Sequence, residues 1–198
     1  FAKQMYNEVM EQNRGKLLSE WDPRTKMVHR VLERLIPSSG LTDQRWEVHV
    51  INDPEPNAFV IPGGKVFVNT GILPICKNDD GLATVLGHEI AHNLAHHAAE
   101  RLSQAGILSG VAFISWFMTG IDIGLFRLVG NYAFSLPGSR QQESEADYIG
   151  LMMMAQSCFN PDAAIGLWDR MDKAEKVKVP QFLSTHPSSH NRMDKMRE

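Results

Sequence analysis

The stretch "VLGHEIAHNLAHHAAER", residues 85–101, puts four histidines and two glutamates into seventeen residues whose pattern is otherwise helical. At about 1.5 Å per residue, positions four apart stand nearly above one another on a helix, so His88 and His92 project from one face about 6 Å apart. Two imidazoles so placed can share one zinc ion. Glu89 points roughly a quarter-turn away, which suits a base acting on water better than a third ligand. The pattern His-Glu-Ile-Ala-His is HExxH, which chance alone produces in on the order of one in a few hundred chains of this length. Context must therefore decide. Leu82, Val85, Leu86, Ile90 and Leu94 recur at helical spacing, and Asp79, Asp80 and Gly81 mark a start, so a helix is expected over about 81–104. The histidines then lie mid-helix beside an apolar face, where an unpaired polar ring would be costly and a ligand role accounts for it.

The rest of the chain bounds the possibilities. A length of 198 residues with 43% hydrophobic content supports one core, and 1–198 is expected to be a single domain. A net charge of -3, a pI near 6.3 and the lack of a Lys/Arg run give no electrostatic case for nucleic acid. Two cysteines, Cys76 and Cys158, exclude a disulfide framework and a Cys-rich zinc ribbon; both are expected to be buried thiols, with one bridge left open. The first residue is Phe1 and no signal peptide is evident, so the chain reads as a catalytic fragment whose targeting sequence lies elsewhere. The sequence is compatible with a homo-oligomer.

Residues 2–19 and 24–36 read as helices, the second stopping at "PSSG". "WEVHVIND" (46–53), "AFVIP" (58–62) and "KVFVN" (65–69) read as strands of a small antiparallel sheet, and 71–77 as a short helix. Residues 105–134 begin with 17 uncharged positions and carry only Asp122 and Arg127 as charges. That is at the lower limit for a span and glycine interrupts it. It is either a buried hairpin or a surface that meets a bilayer or an apolar substrate; a mean hydropathy of -0.24 does not demand a membrane. Helical periodicity resumes over 139–158, and a further helix is expected to open with Asn160 as cap and Pro161 in its first turn.

A catalytic zinc needs a third protein ligand and one open position. A histidine six residues beyond His92 would serve, but position 98 is alanine. His96 and His97 lie further down the same expected helix, with surface or supporting roles. The gluzincin alternative is a glutamate from a later helix, and "ESEAD" supplies it. Glu143 and Asp147 are four apart and share a face, while Glu145 points elsewhere into solvent. Glu143 would bind metal; Asp147 would accept a hydrogen bond from the distal nitrogen of a ligand histidine and fix its tautomer.

HEIAH with "ESEAD" 51 residues later, "NAFVIPGGKVFVNTGIL" upstream and "STHPSSHNR" downstream resembles the gluzincin metallopeptidase family of the CAAX prenyl endopeptidase and the bacterial membrane protease HtpX. The resemblance covers about residues 46–192 and leans to the mitochondrial inner-membrane branch of that family. It implies a mainly helical α+β, zincin-like fold with a small sheet over the HExxH helix, and one zinc ion per chain. It further implies a membrane-anchored endopeptidase that faces the intermembrane space and cuts membrane or misfolded proteins in quality control. Asn57, Ala58 and Phe59 would offer backbone groups of an edge strand to an extended polypeptide substrate. His186, with Arg192 six residues on, would approach the zinc from the opposite wall, to stabilise the oxyanion or, without substrate, to fill the open position; the first is preferred. Glu89 would be the general base. Membrane contact is expected through 105–134 and a missing N-terminal anchor. The alternatives are a bacterial periplasmic envelope-assembly peptidase and a non-catalytic membrane-associated chaperone or scaffold on the same fold; an intact Glu89 argues against the last.

Overall fold

A computed structural model describes residues 2–97, 103, 139–187 and 192–196. The expected membrane-contact segment, 105–134, and His190 lie outside the described residues.

Helix α1 (Ala2–Gln12) is followed by α2 (Pro23–Ser39). α1 stops well short of the expected residue 19 because Gly15 turns the chain at φ 79°. Residues 16–18 then run beside the first strand, with the Leu18 amide donating to the Val50 carbonyl at 2.9 Å and the Asn52 amide to the Lys16 carbonyl at 2.8 Å. α2 begins where the sequence indicated, with the Asp22 side chain accepting from the Arg24 amide and Pro23 in the first turn. It passes through Pro37 instead of stopping there. The Ser38 and Ser39 hydroxyls donate to the Leu35 and Ile36 carbonyls, and Gly40 closes the helix at φ 70°.

Three strands follow: β1 (Glu47–Ile51), β2 (Ala58–Ile61) and β3 (Lys65–Asn69). The sheet is mixed, which corrects the antiparallel expectation. Its order is β1-β3-β2, with β1 parallel and β2 antiparallel to β3. Only β2 and β3 are joined by a tight turn, in which Gly63 and Gly64 take φ 94° and 82°. The link from β1 to β2, "NDPEPN", holds two prolines and cannot close a hairpin, so β1 docks on the far side of β3. Alternation along the strands serves two layers. Val50, Ala58, Val66 and Val68 join the main core, while Ile51, Ile61 and Phe67 pack with Phe59 against α1.

A short 3-10 turn (Thr70–Ile72) and α3 (Leu73–Cys76) lead into α4 (Asp79–Leu94), every residue of which from Gly81 to His92 is buried. Its cap is Asn78, one residue earlier than expected, whose side chain accepts from the Gly81 amide at 3.0 Å. α4 also ends about ten residues before the expected 104. His96 lies at φ 55° in the left-handed region, where histidine is one of the few side chains tolerated.

α5 (Arg140–Gln156) begins at a capping box formed by Ser139 and Gln142. α6 (Ala163–Glu175), α7 (Gln181–Thr185) and α8 (Arg192–Lys195) complete the described helices. α6 starts two residues later than the "NP" signal implied. Asn160 accepts from the Asp162 amide at 3.1 Å in a local turn, and the first α6 amides, of Ala163 and Ala164, reach back only three residues, to the Asn160 and Pro161 carbonyls. Cys76 is buried and Cys158 exposed, both free, which corrects the expectation of two buried thiols.

α4 and α5 meet backbone to backbone at Gly87 and Gly150. A Cβ on Gly150 would stand 3.1 Å from the Gly87 carbonyl carbon and the His88 amide nitrogen. This contact brings the first two turns of α5 to the histidine face of α4.

Candidate metal centre

Glu143 sits in the first turn of α5, one turn after the capping box, and Asp147 lies one turn further along. α5 thus presents both carboxylates to His88 and His92 of α4. A fourth group arrives from His186, at the C-terminal end of α7. That helix is held by the Phe182 amide donating to the Pro56 carbonyl at 3.1 Å and the Gln181 amide donating to the Glu55 carboxylate at 3.0 Å. His186 is therefore tied to the segment that enters β2.

His88, His92, Glu143 and His186 are all buried, and one ligand atom from each lies within 4.8 Å of the others. The His88 Nε2 is 3.1 Å from the His92 Nε2, 3.2 Å from the His186 Nδ1 and 3.2 Å from Glu143 Oε2; Glu143 Oε1 is 3.3 Å from the His92 Nε2 and 3.2 Å from the His186 Nδ1. Four donors held at about 2.0–2.1 Å in a tetrahedron about zinc stand roughly 3.3–3.4 Å apart, so the spacing fits that ion. The donor chemistry fits too. Asp147 Oδ1 accepts from the His88 Nδ1 at 2.9 Å, so the neutral ring presents its Nε2 lone pair to the cluster. Glu143 Oε2 is buried and accepts no hydrogen bond. The Arg192 Nη2 stands 3.6 Å from it, within ion-pair reach, and a metal ion at the ligand position would meet it directly.

The titration behaviour has the same cause. Burial pushes the His88 imidazole down, but the Asp147 and Glu143 carboxylates outweigh this and bring it up to about 9. His92 goes the other way, to about 3, through burial and the neighbouring His88 and His186 imidazoles, against the pull of Glu143. Two ring nitrogens 3.1 Å apart cannot both carry protons, so the pair separates in this manner. Burial would raise the Glu143 carboxyl, yet the facing His186, His88 and His92 imidazoles hold it far below the usual carboxylate range. Asp147 is lowered against burial by His88 and Arg192.

Arg192 braces Asp147 from the far side. Its Nε and Nη2 donate to the two Asp147 oxygens, each at 2.6 Å, and its guanidinium carbon lies 3.5 Å from the Trp168 ring centre. Its Nη2 also stands 3.6 Å from Glu143 Oε2, so one guanidinium meets both the Glu143 and the Asp147 carboxylates. Glu89 is buried beside the cluster, its Oε1 3.1 Å from the His186 Nε2.

Asn57, Ala58 and Phe59 lie where expected, at and just before β2, which is an edge strand among the described residues. Their roles separate. The Asn57 carbonyl accepts from the Asn69 amide at 2.9 Å, and by alternation the Asn57 and Phe59 backbones pair with β3 while those of Ala58 and Val60 point to the free edge. The expectation that Asn57 and Phe59 offer backbone groups is corrected accordingly. The Phe59 ring stacks on Phe67 at 5.1 Å, on the α1 side of the sheet.

Trp168 and Phe182 complete the wall of the site, their rings 5.8 Å from His88 and 4.7 Å from His186. In the sequence they are two apolar positions among many. His97, expected in a surface or supporting role, and Glu145, expected in solvent, are joined to the site as well, through a 2.8 Å contact between the His97 and His92 Nδ1 atoms and a 3.2 Å contact from the His97 Nε2 to Glu145.

Comparison with known proteins adds an independent line. Residues 22–198 match peptidase family M48. The chain is 49% identical over its whole length to the mitochondrial metalloendopeptidase OMA1 of Schizosaccharomyces pombe, covering 59% of that protein. It is 35% identical over 96% of its length to the mitochondrial metalloendopeptidase OMA1 of Homo sapiens, covering 40% of it, and 28% identical over 96% of its length to the beta-barrel assembly-enhancing protease of Escherichia coli, covering 42%. The chain thus spans about three-fifths or less of these relatives. With the matched region running over HExxH, the α5 glutamate and His186, this chain belongs to peptidase family M48.

Proposed function

We propose that the chain is a single zinc metalloendopeptidase domain, in which His88, His92 and Glu143 hold one zinc ion and Glu89 is the general base. The observation that carries this is the convergence of two imidazole nitrogens and one carboxylate from α4 and α5 at ligand spacing, with a second carboxylate one residue from the first histidine. Zinc, when bound, lowers the pKa of water and polarises the scissile carbonyl. Glu89 takes the proton as water attacks that carbonyl and hands it to the leaving amine. Asp147 and Arg192 hold the His88 ring so that its Nε2 faces the metal position. The backbone groups of Ala58 and Val60 would pair with an extended substrate strand.

For His186 the geometry supports the closing role over the oxyanion role. Its Nδ1 lies 3.2 Å from both the His88 Nε2 and Glu143 Oε1, inside the ligand group, and a ring so placed fills the position a substrate needs. Withdrawal of His186 would open the site, and its link through α7 to the segment before β2 would let an edge-bound substrate favour that movement.

The similarity to mitochondrial metalloendopeptidases supports a mitochondrial location, and the identities favour it over a periplasmic one. An inner-membrane enzyme facing the intermembrane space, acting on membrane or misfolded proteins, is the finer reading. No described helix is long and apolar enough to cross a membrane; the uncharged run that opens 105–134 supports contact there. The test is metal analysis coupled to cleavage of casein and of a membrane-derived peptide, with and without chelator. One zinc per chain and chelator-sensitive cleavage are expected. A zinc-free chain, or cleavage indifferent to chelator, would refute the proposal.

A further inference from the structure

We infer that His97 is a positioning residue for the metal centre, fixing the tautomer and direction of His92 through a relay that ends on Glu145. This rests on the metal-site reading above.

His97 is 2% exposed, which is unusual for a histidine unless its ring nitrogens are partnered. Both are. Its Nε2 lies 3.2 Å from Glu145 Oε2 and its Nδ1 lies 2.8 Å from the His92 Nδ1. A carboxylate only accepts, so the His97 proton sits on Nε2 and its Nδ1 is a bare lone pair. That lone pair must accept from the His92 Nδ1–H, which leaves the His92 Nε2 bare and facing Glu143 and the His88 Nε2. His88 receives the equivalent support from Asp147, so each candidate ligand histidine has its own carboxylate-anchored partner. For His92 the partner is reached through a second imidazole.

The backbone explains why this arrangement exists. On an uninterrupted helix a residue five positions beyond His92 lies about 140° away around the axis and cannot reach it. α4 ends at Leu94, and His96 at φ 55° turns the chain so that the next residue folds back beneath His92. Glu145 is on the opposite side of α5 from Glu143 by helical position, yet its carboxylate reaches His97 while its side chain remains 51% exposed. The relay therefore runs from the buried cluster to the surface.

The test uses the 198-residue chain with His97→Ala, which removes the acceptor, and His97→Asn, whose Oδ1 occupies nearly the position of the histidine Nδ1 and can still accept from His92. Zinc affinity by competition with a chromophoric chelator, the absorption spectrum of the Co(II)-loaded protein and the melting temperature of the metal-free protein are read for each. A positioning role predicts a fall in zinc affinity of about 10–100-fold and an altered Co(II) spectrum for His97→Ala. In His97→Asn most of the affinity and the parental spectrum should return. Equal impairment of both variants, accompanied by a lower melting temperature, would assign His97 to packing alone and overturn the inference. So would parental affinity and spectrum in both. A parent chain that binds no zinc would instead overturn the metal-site reading and this inference with it.

Discussion

Replacing Gly150 by alanine adds one methyl group where α4 and α5 touch through their backbones. The new Cβ would stand 3.1 Å from the Gly87 carbonyl carbon and from the His88 amide nitrogen, against 3.4–4 Å for ordinary contact. The helices must therefore separate by about 0.3 Å or more, because neither neighbour is a flexible side chain that can swing away. Such overpacking costs roughly 1–3 kcal/mol. Alanine returns about 1 kcal/mol through its helix propensity, so a net stability loss of about 0–2 kcal/mol is expected for the metal-free protein. The metal site is less forgiving, since ligand distances tolerate only about 0.2 Å and Glu143 moves with α5 against His88 and His92. Zinc affinity should fall about tenfold or more, the scale on which disturbed ligand support acts. Gly166 in α6 provides the control, for a Cβ there meets only the end of the Arg170 side chain. Gly166→Ala should leave zinc affinity unchanged and stabilise by up to about 1 kcal/mol. Zinc titration and thermal unfolding of both variants check this. Gly150→Ala with zinc affinity within about twofold of the parent would refute the claim that this helix contact sets the ligand geometry.

Glu89→Gln should lower peptide cleavage by about 100-fold or more with one zinc retained, as expected for loss of a general base; undiminished turnover would sink that assignment. Glu143→Ala should reduce both zinc content and cleavage, whereas normal zinc stoichiometry would point to a different third ligand. His186→Ala should speed zinc extraction by chelators and raise cleavage of small peptides. A fall of about 100-fold with unchanged extraction would restore the oxyanion role. The last concerns pH. Arg30 donates to both Asp79 oxygens at 2.8 Å and holds that carboxyl below its ordinary value, so its stabilising contribution is present above the unfolded pKa of about 3.9 and is lost as pH falls through the lower folded value. Asp79→Asn should therefore lower the melting temperature at neutral pH and flatten its decline below about pH 4; a decline identical to the parent's would contradict the pairing.

The sequence alone determined the elements of the metal site that depend on spacing within one helix. His88 and His92 share a face because they are four apart, Glu143 and Asp147 do for the same reason, and Glu89 is adjacent by necessity. The strands were legible because the Pro, Asn and Gly-Gly between them act on their immediate neighbours. What spacing cannot convey is how separate elements meet. The approach of α4 to α5 depends on Gly87 facing Gly150, 63 positions apart in the chain, and neither glycine announces its partner. The parallel docking of β1 on β3 depends on a link too stiff to form a hairpin. The place of His97 beside His92 could not be read from spacing because it rests on a single left-handed residue that ends the helix; periodicity, which assumes the helix continues, sends it to the wrong side. Trp168 and Phe182 look like any core aromatics until folding sets them against Arg192 and His186. Local geometry is encoded in neighbours along the chain, whereas the walls and supports of the site arise from long-range packing, which a single sequence does not display.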